Sequence, residues 1–465
     1  MPAWTLNHFL RTPLLLLVAG ELLIIYSSIY VAALVLYGSI EICETALGPL
    51  GPRASALSIV MLTSLLSMGL YQFHQRAYFR EVFARLTVGF VLGSLALAVV
   101  FYAMPSITVS PDLTAVAIVI AMLLVLSVRY MFMRRIDDNI FRRRTLIYGA
   151  GERASALGDL RRKADRRGFK IIGSVPAPGD TQTYEKNGVL IRENSIEYLA
   201  KELDADEIAI AMDDRRGNLP VRDLLNAKLH GIDVIDLMEF LERETGKIRV
   251  DLVNPGWLIF SPGFRTGRFR KFSKRTVDLI ASLLLVLVSW PVMLVVAACI
   301  KFEDGIRSSV FYLQKRVGYR GEVFNVLKFR SMRENAEADG QAVWAEENDK
   351  RITQFGKVLR KYRLDELPQV FNVLRGQMSF VGPRPERPKF VNELTESIPY
   401  YSERHTVKPG VTGWAQLRYA YGSSEEDAVE KLQYDLYYVK NHNLLLDFII
   451  ILQTVEVVLW GKGAR

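Results

Sequence analysis

The stretch TVDLIASLLLVLVSWPVMLVVAACI, Thr276 to Ile300, is long enough to cross a bilayer as one helix, and whether it does so decides how the chain is built. Before it lies GFRTGRFRKFSKR, with six basic residues and no acid; after it come Lys301, QKRVGYR and LKFRSMR. A crossing helix would leave one basic flank on the outer face, against the positive-inside rule. Pro291 offers a way out, because an interior proline removes an amide donor, clashes with the carbonyl four residues back and kinks a helix. Ser289 is placed to bond a carbonyl of the preceding turn. The expected structure is a re-entrant membrane helix over 273–302, broken at Ser289 and Pro291, that dips into the inner leaflet and returns. An ordinary kinked span is the alternative.

Upstream, apolar runs at about 13–37, 55–72, 86–104 and 113–133 are each close to the roughly 20 residues a spanning helix needs. Arg11 precedes the first, His74, Arg76, Arg80 and Arg85 lie between the second and third, and RRIDDNIFRRR follows the fourth. The loop at 38–54 sets Glu41 and Glu44 against Arg53, and the loop at 105–112 has no Lys or Arg, so both ends of this four-helix transmembrane bundle, 1–135, belong in the cytoplasm. The first run is too long for a signal-peptide core and reads as a retained helix. Glu21, inside it, reads as a bundle-facing or interfacial acid more readily than as part of a transport pathway.

The chain has 465 residues, 50% of them hydrophobic, and a mean hydropathy of +0.13, which calls for several modules, some in lipid. Its net charge of +9 suits an anionic partner: a membrane surface, a nucleic acid or a phosphorylated substrate. Cys43 and Cys299 are the only cysteines, so neither a disulfide framework nor a cysteine-rich metal site is present.

After the bundle, TLIYGAGERA reads as strand, Gly-rich turn and helix start, with Gly149, Gly151 and Ala154 in a G-x-G-x-x-A pattern. FKIIGSV, EIAIAM and IDVIDL supply further strands between helical stretches, giving a Rossmann-like α/β domain over 144–250. The second strand ends at Val175-Pro176 without an acid to hold a ribose hydroxyl, and no Tyr-x-x-x-Lys pair occurs. Nucleotide binding and plain βα packing both remain open for the turn. A basic linker is expected over 251–272.

From about 310 onward the chain carries short motifs rich in Arg, Gly and Pro. Interleaved aromatics and basic residues can bind nucleic acid, yet no recognised nucleic-acid motif is present, and phosphates of a lipid and a nucleotide are the better partners. In RLDELPQ, Asp365 and Glu366 are adjacent, and neighbours on a helix do not face one another. They are poorly placed to share one proton and better placed for two jobs, one attacking phosphorus and the other holding a hard cation. A solvated ion-pair network is the bland alternative.

KRTVDL, QKRVGYRG, KFRSM, LRKYRLDELPQ, NVLRGQMSFVGPRP and KPGVTGWAQ, in that order over 270–465, resemble the bacterial sugar transferase family, the long-form monotopic polyprenyl-phosphate hexose-1-phosphate transferases. The resemblance implies a mainly α catalytic domain over 303–465 anchored by a re-entrant helix. It implies a UDP-hexose donor, undecaprenyl phosphate as acceptor and Mg²⁺ as cofactor. Asp365 resembles the nucleophile that forms a covalent phosphosugar intermediate and releases UMP, and Glu366 the magnesium-binding partner. Arg360 and Arg384 resemble phosphate-binding arginines, Lys328 and Arg330 further cations of the site. The implied setting is the cytoplasmic face of a bacterial inner membrane, in contact with membrane lipids, as a homodimer, at the priming step of exopolysaccharide or O-antigen-type glycan synthesis. Gln377 stands where the family has an aspartate, and Trp290 separates Ser289 from Pro291. The rival reading is a membrane-tethered nucleotide sensor whose C-terminal domain is a scaffold.

Overall fold

A computed structural model describes residues 12–68, 70–71, 79–135, 142–158, 160, 165, 168–180, 195–215, 218–253, 255–264, 267–333, 351–419 and 424–460. The chain divides into two compact units, Met1–Gly246 and Lys247–Arg465.

In the first unit, four long apolar helices, α1 (Thr12–Tyr37), α3 (Leu50–Ser67), α4 (Phe79–Ala103) and α5 (Pro111–Arg135), pack around a shared core that includes Ile25, Met61, Leu65, Phe90 and Ala117. A short helix, α2 (Ile40–Leu47), capped by Ser39, links the first two. Their outer faces stay apolar and bare: Val35, Leu95 and Val99 are each more than 60% exposed. Water would not tolerate such a surface, whereas a lipid medium would. Glu21 is fully buried and neutralised by Arg129, at 2.7 Å, with the Tyr71 hydroxyl also donating to it. A charge that deep must be paired, and this one serves the packing of the helices.

The α/β part contains β1 (Arg143–Tyr148), α6 (Glu152–Ser155), β2 (Phe169–Val175), α7 (Ile196–Glu202), β3 (Glu207–Ile210), α8 (Val221–Leu229), β4 (Asp233–Asp236) and α9 (Leu237–Thr245). All four strands are parallel in the order β2-β1-β3-β4. β3 is buried throughout, as expected of a strand covered on both faces.

The second unit opens with α10 (Pro255–Phe260) and α11 (Arg268–Asp304). The interruption expected at Ser289 and Pro291 does not form: α11 is one helix of 37 residues that begins inside the stretch read as a linker and stays helical through the proline. Ser289 does back-bond as expected, its hydroxyl donating to the Leu285 carbonyl at 2.6 Å. The carbonyl left without its amide donor by Pro291 is that of Leu287, so the helix continues past one missing bond where a break was anticipated. Around the proline Leu287, Val288 and Leu294 lie exposed, while both ends are held by protein. Arg275 donates to the Val373 and Leu374 carbonyls (2.6 and 2.8 Å), and Asp278 accepts from Ser379 Oγ and Phe380 N, each 2.9 Å. At the far end Val296 and Ile300 pack with Phe329 and Leu359.

The remainder is built from small pieces: β5 (Phe311–Val317) and β6 (Val323–Phe329) as an antiparallel pair, α12 (Gln354–Lys361), a 3₁₀ turn (Leu364–Glu366), α13 (Gln369–Arg375), β7 (Ser379–Val381), α14 (Pro388–Ser397), a second 3₁₀ turn (Tyr401–Thr406), β8 (Gly410–Thr412), α15 (Trp414–Arg418), α16 (Glu425–Asn441) and α17 (Leu444–Trp460). The acidic stretch 334–350 lies outside the described residues. Asp447, on apolar α17, is buried against Lys274 of α11 at 2.8 Å and the Tyr438 hydroxyl of α16 at 2.6 Å. That network ties three helices together beneath β7, whose Val381 carbonyl also accepts from Lys274.

Candidate active site

The carboxylate pair sits in the connection between α12 and α13. Thr353 starts α12 by accepting from Gly356 N at 2.9 Å, and Glu303 at the end of α11 accepts from Gln354 N at 2.9 Å, setting negative charge at the helix N-terminus. After Arg360 the chain swings through Arg363, a non-glycine residue held at φ 52° and ψ 25°. Such a conformation costs roughly 1 to 3 kcal/mol and survives where surrounding structure fixes it. In the 3₁₀ turn that follows, successive side chains diverge by about 120°, so Asp365 and Glu366 enter different surroundings.

Those surroundings come from three other places. Lys328 is on β6, to which Asn372 docks α13 by accepting from Leu327 N (2.9 Å) and donating to the Asn325 carbonyl (2.7 Å). Gln377 joins this bond set, accepting from Asn372 at 2.9 Å. β7 and β8 are parallel and adjacent, so the loop leaving β7 and the short helix α15 that follows β8 deliver Arg384 and Gln416 to the same edge. Arg384 Nη1 donates to Gln416 Oε1 at 3.3 Å. These exits approach so closely that a Cβ on Gly413 would lie 2.2 Å from the Gly382 carbonyl oxygen, which only glycine permits.

Glu366 is buried and clamped. Arg384 Nη2 lies 2.6 Å and Lys328 Nζ 3.5 Å from its Oε1, with Arg363 Nη1 3.6 Å from Oε2. Burial alone would raise this carboxyl, but the Arg384 and Lys328 charges hold it well below the usual range. Asp365 is the opposite case: among the described residues its carboxylate makes no hydrogen bond or ion pair. Burial and the neighbouring Glu366 charge raise it, against the pull of Lys328, Arg360 and Arg384. The Lys328 ammonium is lowered by burial, with Glu366 opposing and the Arg384 and Arg316 charges adding to the fall. Arg360 Nη1 is buried with no hydrogen-bond partner.

The structure thus brings Asp365, Glu366, Lys328, Arg360 and Arg384 together. Arg330 follows the end of β6 with its amide bonded to the Val310 carbonyl, while Ser289 and Pro291 belong to the membrane helix rather than to this cluster. Arg316 escaped notice although QKRVGYRG was read as a motif; its Nη1 bonds the Pro385 carbonyl and Glu386, each at 3.1 Å, bracing the loop that carries Arg384. Arg404 and Gln416 escaped too. Nothing in the linear spacing marks a residue that acts through a carbonyl 20 positions away.

For a divalent cation the donor set is sparse but suitable. No group of three or more His, Cys, Asp or Glu side chains exists among the described residues. Glu366 Oε2 has a long contact to Arg363 at 3.6 Å, and among the described residues neither Asp365 oxygen makes a hydrogen bond or ion pair. Magnesium is commonly held by one or two carboxylates together with substrate phosphates and water, which this arrangement fits.

A family model described as "Bacterial sugar transferase" matches residues 269–461. Among curated relatives, UDP-N-acetylgalactosamine-undecaprenyl-phosphate N-acetylgalactosaminephosphotransferase of Aeromonas hydrophila is 40% identical over 52% of this chain and 56% of its own length. Undecaprenyl-phosphate glucose phosphotransferase of Komagataeibacter xylinus is 31% identical over 69% and 60%. UDP-glucose:undecaprenyl-phosphate glucose-1-phosphate transferase of Klebsiella pneumoniae is 34% identical over 72% and 71%. The chain belongs to the bacterial sugar transferase family. It spans little more than half the length of the first two relatives. The matched region holds the whole carboxylate and cation cluster, which makes this cluster the candidate active site of a bacterial sugar transferase.

The Gly-rich turn of the α/β domain is the competing candidate, and its phosphate seat is already filled. The Asp213 carboxylate accepts from Glu152 N (2.9 Å) and Arg153 N (2.8 Å), and Asp180 accepts from Ala150 N (2.8 Å). A Cβ on Gly151 would meet Asp213 Oδ2 at 1.8 Å. The glycine therefore admits the protein's own carboxylate where a dinucleotide fold admits a pyrophosphate.

Proposed function

We propose that this protein transfers a hexose-1-phosphate from a UDP-sugar to undecaprenyl phosphate at the cytoplasmic face of a bacterial inner membrane, releasing UMP, as a priming step of exopolysaccharide or O-antigen-type glycan synthesis. The observation that carries this reading is the contrast within the pair: Glu366 is held by three cations, while Asp365 beside it is unbonded and faces a guanidinium with a spare buried donor. The activities for which the relatives are named, transfer of a sugar phosphate to undecaprenyl phosphate, match that chemistry.

In the first step an Asp365 oxygen attacks the sugar-linked phosphorus of the donor. The anhydride bond breaks and UMP leaves with its electron pair, so that Asp365 carries an acyl phosphate bearing the sugar. In the second step an oxygen of the polyprenyl phosphate attacks the same phosphorus, the acyl bond breaks, and the carboxylate is regenerated with a polyprenyl diphospho-hexose as product. Arg384, Lys328 and Arg360 offset negative charge on the phosphoryl oxygens in both steps. Magnesium, when bound, would further neutralise that charge, with Glu366 and the substrate phosphates as its ligands.

A phosphate acceptor at headgroup depth requires the site to sit there as well, and the re-entrant reading of α11 supplies that depth. Support for it comes from the basic flanks and from the two ends of the helix. A straight helix would separate Arg275 from Val296 by about 31 Å at 1.5 Å per residue, yet Arg275 bonds the Val373 carbonyl while Val296 belongs to a cluster against which Leu367, only six residues before Val373, is packed. The four helices of the first unit complete a multi-pass chain in this reading, and a homodimer belongs to the same proposal. The filled turn at Asp213 weighs against the nucleotide-sensor alternative.

Incubation with a labelled UDP-sugar and undecaprenyl phosphate tests the proposal: UMP rather than UDP is expected. Asp365→Asn is expected to abolish both turnover and the covalent adduct, and normal turnover by that variant would remove the mechanism. A cysteine at Glu303 is expected to react only from the cytoplasmic side; labelling from outside would turn α11 into an ordinary span.

A further inference from the structure

We propose that Gln416 contacts the substrate directly, its side-chain amide donating a hydrogen bond from Nε2 to an anionic oxygen of the donor's diphosphate. This rests on the proposed sugar-phosphate transfer. Two observations meet at this side chain. Its Oε1 accepts from Arg384 Nη1 at 3.3 Å, so the amide is oriented by the same guanidinium that clamps Glu366. Its Nε2 is buried and has no hydrogen-bond partner. An amide donor withdrawn from water and left unmade loses free energy, and such groups are rare in folded proteins unless a ligand or water completes them. Orientation by Arg384 fixes which end is oxygen: an amide turned the other way would set two donors against each other.

The surroundings specify what completes it. Arg360 Nη1 is the second buried, unpartnered donor of this cluster, and its charge acts on Asp365. Arg384 lies between, bonded to both Glu366 and Gln416. Donors of this kind around a carboxylate nucleophile suit a diphosphate, whose oxygens accept only. A hydroxyl of the sugar would satisfy Nε2 equally well as an acceptor but gives no reason for the amide to be held by the phosphate-binding arginine.

The test uses the full chain in detergent or lipid, with UDP-sugar and undecaprenyl phosphate varied separately. Gln416→Glu keeps the length and an oxygen for Arg384 but removes the donor; Gln416→Met removes both. Each is expected to raise the KM for UDP-sugar about tenfold or more, as for a lost hydrogen bond to a charged group, while the KM for undecaprenyl phosphate stays within twofold. If Gln416→Glu keeps the wild-type donor KM and only Gln416→Met is impaired, Gln416 merely positions Arg384 and the proposal fails. If both keep it, the proposal fails as well. A wild-type protein that transfers no sugar phosphate from any UDP-sugar, with its fold intact by thermal unfolding, would instead remove the functional reading and this contact with it.

Discussion

Replacing Arg404 by Met separates stability from positioning in the candidate site. Arg404 is 6% exposed and makes three kinds of bond: to Asp435 at 2.7 Å, to the Tyr401 hydroxyl at 2.7 Å, and to the backbone carbonyl of Arg384 at 3.0 Å. The Asp435 side chain is 2% exposed, so Arg404→Met strands a carboxylate in the interior. Removing one partner of a buried pair costs about 3 to 5 kcal/mol. At about 2 to 4 °C per kcal/mol for a unit of this size, the transition of the catalytic unit falls by roughly 6 to 20 °C. Arg404→Met/Asp435→Leu removes both charges and is expected to recover most of that loss, since an apolar replacement of a buried pair is often neutral. Donor kinetics should not recover, because neither variant can hold the Arg384 carbonyl. Thermal unfolding of the full chain and the KM for UDP-sugar give the two readouts. A single variant melting within about 2 °C of wild type, or a double variant with the wild-type donor KM, would refute the reasoning.

Glu366→Gln keeps an acceptor for Arg384 but removes the charge; magnesium activation is expected to weaken, and an unchanged metal titration would count against its role as ligand. In the proposed mechanism Asp365 attacks as the carboxylate, and its pKa in the folded protein is raised above the ordinary carboxylate value. Activity should therefore fall as pH drops through that raised value. Lys328 lowers Asp365, so Lys328→Met is expected to move the acidic limb of the kcat/KM profile to higher pH; a limb moving to lower pH would contradict the geometry. Asp213→Ala leaves the Glu152 and Arg153 amides without their acceptor and should destabilise the α/β domain by about 1 to 3 kcal/mol, read by hydrogen exchange at those amides. Unchanged protection would mean that Asp213 does not fill the seat.

Membrane character, the parallel α/β domain and the identity of the acidic pair were all legible in the linear sequence. Each depends on local composition or short spacing: runs of apolar residues, alternation of strand and helix, Arg360 five positions before Asp365. The G-x-G-x-x-A pattern at Gly149 was legible too, yet its meaning was not, because Asp213, 62 positions beyond Gly151, decides that the turn holds a carboxylate. Pro291 marked a bend from its chemistry, but that the helix runs on from Arg268 to Asp304, with both ends held by protein, is a property of the folded chain. The division of labour between Asp365 and Glu366 likewise waited for Lys328 and Arg384, brought in from β6 and from the loop after β7. A sequence specifies which groups are present and the regular elements that local geometry allows. Which charge ends up beside which carboxylate is set by long-range packing, and with it which of two adjacent acids is bound and which is left open.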